Sequence, residues 1–185
     1  KGVINAFSPQ ANFPIMHLWQ EDLGFRKTLI LNQAISKAQG DYLIFLDGDC
    51  LVQPDFVKRH RQLAQDGFLV TGSRVLLNQT LTQKILSWPY WSFSAFQSNL
   101  ITYRLNGGIN KIWPILIKLG NGSWRIYKQF VWRRIKGCNM ACWQKDAVAI
   151  RGFDETMTGW GHEDADFVFR LQQSGIKRKS GSWST

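Results

Sequence analysis

A long central part of the sequence has no acidic residues. Neither Asp nor Glu occurs from Gly67 to Lys145, yet this stretch holds eleven of the 23 Lys and Arg residues. The rest of the chain is close to neutral, so one segment carries the formal net charge of +10. Such a concentration of positive charge favours an anionic partner.

Cysteine and long apolar runs are also scarce. The three cysteines, Cys50, Cys138 and Cys142, are too few for a disulfide framework and are typical of a reducing compartment. Cys138 and Cys142 have a spacing compatible with zinc, but no second pair or nearby His completes a site, so we interpret them as small buried residues on a strand. No apolar run approaches the ~18 residues of a transmembrane helix, and no signal peptide is visible.

The hydrophobic pattern predicts one α/β domain with a mostly parallel sheet flanked by helices. Hydrophobic residues make up 44% of the 185 residues, which excludes disorder and allows a sizeable core. Segments of strand and helix character alternate in the first 75 residues, as in βαβ units. The predicted strands are 14–19, 42–46, 68–73 and 137–143, and the predicted helices are 25–39, 54–65 and 163 to about 174. His60 is predicted on the surface of the second of these helices.

The basic stretch between residues 76 and 136 is rich in aromatic residues, and we define it as the insertion. Cationic and aromatic side chains together suit an anionic membrane surface or an anionic lipid-linked substrate. Nucleic acid is a rival partner, ranked last because the sequence contains no recognisable nucleic-acid-binding fold. In a third interpretation the insertion is an ordinary one whose aromatic residues pack on the core.

Two acidic motifs carry the predicted chemistry. Asp47-Gly-Asp49 follows the apolar run 42–46 and offers two hard oxygen ligands to a divalent cation, although the same tripeptide also forms ordinary turns. Glu163, Asp164 and Asp166 fall in the first turn of the last predicted helix, where the helix dipole alone would favour acids. The dipole does not explain Trp160 between two glycines just before them, and an exposed Trp is a platform for a sugar ring. A carboxylate beside it could act as a general base.

In this order the two motifs resemble the inverting family-2 glycosyltransferases of the GT-A fold. The likeness is to bacterial enzymes of lipopolysaccharide or capsule synthesis and to β-1,4-galactosyltransferase and chondroitin-polymerase type domains. Three blocks carry it, namely residues 24–32, 40–49 and 137–164. The resemblance implies a truncated Rossmann-like sheet with a nucleotide-sugar half at 1–75, the insertion at 76–136, and an acceptor and catalytic half at 137–185.

The resemblance also implies a reaction and a set of roles. A UDP-sugar donor reacts with a glycan or glycolipid acceptor, assisted by Mn²⁺ or Mg²⁺, and UDP leaves in one displacement that inverts the anomeric carbon. The implied roles are Asp164 as the general base, Glu163 at the acceptor hydroxyls, Trp160, Gly161 and Asn139 in substrate binding, Lys27 near the nucleotide base, Asp47 on the ribose or metal, and Asp49 on the metal.

The family's first strands and its last metal ligand would lie outside residues 1–185, so we expect this segment alone to bind donor poorly and turn over slowly. We expect a cytoplasmic enzyme of cell-surface polysaccharide synthesis at the inner face of a bacterial membrane. A non-catalytic carbohydrate- or membrane-binding module on the same fold is the alternative.

Overall fold

A four-stranded sheet organises the computed structural model, which describes residues 2–185. Its strands are β1 (Tyr42–Phe45), β2 (Phe68–Thr71), β3 (Met140–Trp143) and β4 (Lys177–Ser180). The helices of this part of the chain are α1 (Gly2–Phe7), α2 (Lys27–Lys37), α3 (Phe56–Leu63), α4 (Gln79–Leu86), α5 (Phe93–Gln97), α6 (Leu100–Leu105), α7 (Trp113–Leu116), α8 (Gln144–Ala149) and α9 (Glu163–Gln173). Short 3-10 helices lie at Ser8–Gln10, Ser123–Arg125 and Gly137–Asn139.

The sheet is mixed, so the prediction of a mostly parallel sheet was wrong. The strand order is β1-β3-β2-β4, with β3 antiparallel to both neighbours and β2 parallel to β4. After the insertion the chain returns between β1 and β2 and runs against both, which places Met140 opposite Phe45. A short buried strand is apolar in either direction, so its sequence did not indicate this reversal.

The main core lies between the sheet and α9. Phe167, Val168 and Leu171 of α9 are buried, as expected for the apolar face of an amphipathic helix. Phe167 stacks on Phe153 with ring centroids 4.1 Å apart, and Phe45 of β1 packs edge-on against both rings. Each buried side chain of this size contributes about 1.5–3 kcal/mol, which fixes the N-terminus of α9 relative to the end of β1.

Two segments differ from the predicted elements. Residues 14–19 form neither strand nor helix, and Met16 and Trp19 are exposed. Within residues 2–185, β1 pairs only with β3, so no neighbouring strand holds 14–19 in an extended ladder. β4 was not predicted because Lys-Arg-Lys-Ser has no apolar pattern, yet its pairing with β2 buries Arg178 and Lys179.

The insertion has a small core of its own. Asn78 caps α4 by accepting a hydrogen bond from the Leu81 N–H at 2.9 Å, and Trp88 stacks on Trp91. The interpretation that its aromatic residues are packed therefore holds for part of the insertion. Other aromatic residues of the insertion remain exposed, among them Tyr90, Trp113, Trp124 and Trp132. The buried residues of this second core are Leu81, Ile85, Phe96, Leu100, Tyr103, Ile109 and Ile115.

None of the helices in residues 2–185 has the length and apolar character needed to cross a membrane.

Candidate active site

The two acidic motifs meet at one edge of the sheet. Asp47 and Asp49 lie on the turn beyond β1, which the Cys50 N–H closes by donating to the Asp47 carbonyl at 3.2 Å. Because β3 is antiparallel to β1, the 3-10 helix that precedes β3 lies beside this turn. The buried face of α9 brings its acidic first turn to the same place.

Lys27 joins the two motifs. Its Nζ lies 3.0 Å from Asp47 Oδ1, 3.9 Å from Glu163 Oε1 and 4.0 Å from Asp164 Oδ1. Burial lowers the pKa of Lys27, but attraction to Asp164, Asp47 and Glu163 outweighs it and the net pKa is raised. A lysine in the first turn of α2 opposes the helix dipole, which ordinarily costs about 0.3–1 kcal/mol. The carboxylates opposite it explain its position.

Asp164 is held firmly at one oxygen. The Gly137 N–H donates to Oδ2 at 2.8 Å, while Oδ1 is buried without a hydrogen-bond partner. Burial raises the pKa of this carboxyl, with repulsion from Glu163 and Asp47 adding to it and Lys27 and the Gly137 hydrogen bond opposing it. The carboxylate is therefore a stronger base than a free Asp, with one oxygen available to a new partner.

Gly137 must be a glycine for this contact to form. A Cβ atom at position 137 would overlap the carboxylate of Asp164. The Asp164 carboxylate can receive the Gly137 N–H in this position only because position 137 has no side chain.

Trp160 lies in the loop before α9 and Glu163 begins the helix, and their side chains point in opposite directions. Glu163 is buried, and its Oε2 accepts a hydrogen bond from the Gly161 N–H at 3.0 Å. Trp160 is 87% exposed, so its ring faces solvent. Gly161 and His162 both have positive φ, at 109° and 70°, and this turn directs the indole outward while the carboxylate points inward.

Comparison with known protein families assigns the segments that form this site to two family models. Residues 20–134, more than half of the chain, match the family model described as glycosyl transferase family 2. The chain belongs to this family. Residues 121–182 match the family model described as the N-terminal domain of galactosyltransferase. A search of curated proteins gave no match.

The two matches divide the site of this glycosyltransferase between them. The family 2 match covers Lys27, Asp47 and Asp49, and the galactosyltransferase match covers Gly137 and residues 160–164. The resemblance to family-2 glycosyltransferases is confirmed, and it implies the GT-A fold with a nucleotide-sugar donor and an acceptor. The narrower likeness to bacterial lipopolysaccharide and capsule enzymes stays a prediction.

Enzymes of this glycosyltransferase family commonly use divalent metals, and the predicted ligands here are two. Asp49 is exposed and its carboxylate accepts a contact from the Cys50 thiol at 3.6 Å, whereas Asp47 is paired with Lys27. Across residues 2–185, no group of three His, Cys, Asp or Glu side chains is arranged to hold a metal ion. Two carboxylates on one turn fit a cation that completes its shell with substrate phosphates and water.

Asn139 of the glycosyltransferase lies in a buried network. Its Oδ1 is 2.9 Å from His60 Nε2, and its Nδ2 donates to the Ser73 carbonyl at 2.8 Å. Contact of Asn139 with substrate stays a prediction, and it requires the amide to leave one of these partners. His60 was predicted on a helix surface but is fully buried, and burial lowers its pKa to about 4.

Sequence reasoning missed the residues that hold the start of the loop before α9 in place. Asn32 of α2 accepts the Phe153 N–H at 2.7 Å and donates to the Phe153 carbonyl at 2.9 Å. A Cβ at Gly152 would overlap the Asn32 amide, so this glycine is also required by close approach. Asn32 and Gly152 both lie in or next to the blocks that carry the family resemblance, but only the fold shows that they touch.

Proposed function

We propose that this glycosyltransferase moves a sugar from a UDP-sugar to a hydroxyl group of a glycan or glycolipid, with inversion at the anomeric carbon. The observation that carries the proposal is the meeting of Asp47 and Asp164 around Lys27, at 3.0 and 4.0 Å. One carboxylate comes from the donor-side motif and the other from the acceptor-side motif.

Asp164 is the proposed general base. The acceptor oxygen attacks the anomeric carbon, the bond from that carbon to the UDP oxygen breaks, and the hydroxyl proton passes to Asp164. Oδ1 is the proposed receiving atom because Oδ2 is already bound to the Gly137 N–H. A positioned base accelerates such a step by roughly 10²–10⁴-fold, and the raised pKa of Asp164 supports the assignment.

Trp160, Gly161 and Glu163 form the proposed acceptor side. The exposed indole offers an apolar face to a sugar ring, and the Gly161 N–H fixes Glu163 behind it. Glu163 is then oriented to accept hydrogen bonds from acceptor hydroxyls. Holding the two sugars against one another on this surface would accelerate the reaction through proximity and orientation.

Asp47, Asp49 and Lys27 form the proposed donor side. Asp49, with Asp47, would hold Mn²⁺ or Mg²⁺, and the bound cation would neutralise charge on the departing diphosphate. Lys27 keeps Asp47 and Asp164 in one orientation through its ion pairs. Its contact with the nucleotide base stays part of the proposal.

A donor screen tests the proposed function. The full-length protein is incubated with Mn²⁺, a panel of UDP-sugars and simple glycan acceptors, and UDP release is followed together with product formation. We expect an acceptor-dependent product with β configuration, measured by the coupling constant of its anomeric proton, and loss of turnover in excess chelator. An α-linked product would exclude inversion, and donor binding without product for any acceptor would favour the non-catalytic module.

The exposed surface of the insertion is the basis for a proposed location at a membrane. Trp124 and Trp132 are exposed, and the guanidinium of Arg133, also exposed, lies 5.6 Å from the Trp132 ring centroid. Cations beside exposed aromatic rings suit the anionic interface of a membrane. We place the enzyme in cell-surface polysaccharide synthesis at the cytoplasmic face of a bacterial plasma membrane.

Vesicle sedimentation tests this location. Binding to anionic but not neutral vesicles should weaken in Trp132→Ala and persist in Trp160→Ala, whose indole belongs to the proposed acceptor side. Equal binding of both variants, or none by the wild type, would contradict membrane contact through the insertion.

A further inference from the structure

A cavity lined by a buried lysine lies away from the Lys27 cluster. It has a volume of about 300 Å³ and is lined by Gln65, Asn121, Gly122, Ser123, Ile126 and Lys179. Trp143, at the far end of β3 from Met140, donates its indole N–H to the Gln65 carbonyl at 2.9 Å. Lys179 lies on β4, the edge strand opposite β1, and the turn beyond β1 carries Asp47 and Asp49.

Lys179 gives this cavity its chemistry. The residue is only 2% exposed, and its Nζ donates to Gln65 Oε1 at 2.5 Å and to Asn121 Oδ1 at 3.2 Å. No carboxylate within residues 2–185 forms an ion pair with it. Lys27, which is only partly buried, has three carboxylates within 4.0 Å, so the two lysines differ sharply.

One neighbouring cation, Arg125, adds to the positive potential without needing an anion itself. Arg125 is buried and donates to four backbone carbonyls, those of Leu119, Gly120, Ser180 and Ser182, at 2.7–2.8 Å. Burial lowers the pKa of Lys179, and repulsion from Arg125 lowers it further. The ammonium of Lys179 is therefore a buried charge whose partners are all neutral, a costly arrangement that an anion would relieve.

We propose that this cavity binds a phosphate group through Lys179. The volume is at the small end of ligand sites, which suits a phosphate with little attached to it. A phosphate supplies the negative charge that Lys179 lacks, and the Asn121 amide and Ser123 hydroxyl at the rim supply donors to its remaining oxygens. The site is independent of the proposed transfer reaction, since none of its residues belongs to the Lys27 cluster.

Titration with inorganic phosphate at constant ionic strength, followed by amide NMR, tests the site on the full-length protein. We expect saturable shifts of the Asn121, Gly122 and Ser123 amides, weakened at least ten-fold in Lys179→Met. Lys177→Met is the matched control, since Lys177 is exposed on the same strand, and it should stay within about two-fold of wild type. Ser123→Asp changes an exposed rim position and should also abolish binding, which keeps the test valid if Lys179→Met misfolds.

The absence of saturable shifts would overturn the proposal, as would equal affinity in the wild type, Lys179→Met and Ser123→Asp. Vesicles with and without phosphatidic acid then distinguish the source of the phosphate. Binding to phosphatidic acid that is lost in Lys179→Met assigns the site to a lipid headgroup. Binding of inorganic phosphate without vesicle binding assigns it to a soluble phosphate compound, and either result supports the site.

Discussion

Gly137→Ala is the smallest substitution that should displace the proposed base, Asp164, while leaving the surrounding fold in place. The substitution adds one methyl group, and that Cβ would overlap the Asp164 carboxylate. Gly137 does not have a positive φ, so alanine brings no backbone strain of its own. The carboxylate must rotate away and release the Gly137 N–H, which now donates to Oδ2 at 2.8 Å.

The expected size of the effect follows from two terms. A hydrogen bond to a charged group is worth about 1.5–3 kcal/mol, and this is the loss expected in the free energy of unfolding. The loss in catalysis is larger, because a misplaced base forfeits most of its roughly 10²–10⁴-fold contribution, about 3–5 kcal/mol of barrier. We therefore expect kcat to fall at least ~100-fold while UDP affinity changes little.

Gly159→Ala is the matched control for this prediction. It adds the same methyl group in the loop before α9, in open space and without a positive φ, and should leave kcat within about two-fold of wild type. Steady-state transfer assays, UDP titration and thermal unfolding of both variants complete the comparison. If Gly137→Ala transfers sugar at the wild-type rate, the position of Asp164 does not limit the reaction and the reasoning is wrong.

Three further substitutions test other parts of the account. Lys27→Met removes the cation that lowers the pKa of Asp164, so the acidic limb of the kcat/KM profile should move to higher pH. Phe153→Ala removes the ring stacked 4.1 Å from Phe167 and should cost about 3–5 kcal/mol of unfolding free energy in denaturant titrations. The folded pKa of His60, about 4, lies below its ordinary 6.5, so the stability it contributes is complete above pH 6.5 and is lost as pH falls through 4. His60→Gln should remove this acid sensitivity, about 3 kcal/mol between pH 7 and 4 in urea unfolding.

Each of these predictions has a control elsewhere on the chain. Lys37→Met, on the exposed side of α2, should leave the pH profile in place, and an unmoved profile in Lys27→Met would contradict the role of the ion pairs. Trp160→Ala should leave stability within about 0.5 kcal/mol while reducing transfer, because its ring is solvent-exposed. His17→Gln, at an exposed position, should not change the acid sensitivity.

The elements that sequence predicted well are those whose burial leaves a pattern. α2, β1, α3, β2 and α9 all lie within the predicted ranges, because apolar spacing reflects the face that each one buries. β4 was not predicted because its buried residues are Arg178 and Lys179, whose side chains hydrogen-bond to partners distant in sequence, including Thr71 and Gln65. The direction of β3 was not predicted because a buried apolar run has the same pattern in a parallel and in an antiparallel strand.

The site residues were predictable from sequence, whereas the contacts between them were not. Asp47, Glu163 and Asp164 could be named from local motifs, since each sits at the end of a recognisable strand or helix. The contact of Lys27 with all three, and of Gly137 with Asp164, depends on how α2, β1 and α9 pack, and no local pattern encodes that distance.

The most direct measurement compares Asp164→Asn with Asp166→Asn in the full-length protein. Both remove one negative charge from the first turn of α9, but Asp166 is paired with Arg170 at 2.7 Å and lies outside the Lys27 cluster. Asp164→Asn should retain Mn²⁺-dependent UDP binding and lose transfer by roughly 10²–10⁴-fold, whereas Asp166→Asn should keep most of its activity. Transfer by Asp164→Asn at a near wild-type rate would contradict the assignment of Asp164 as the base.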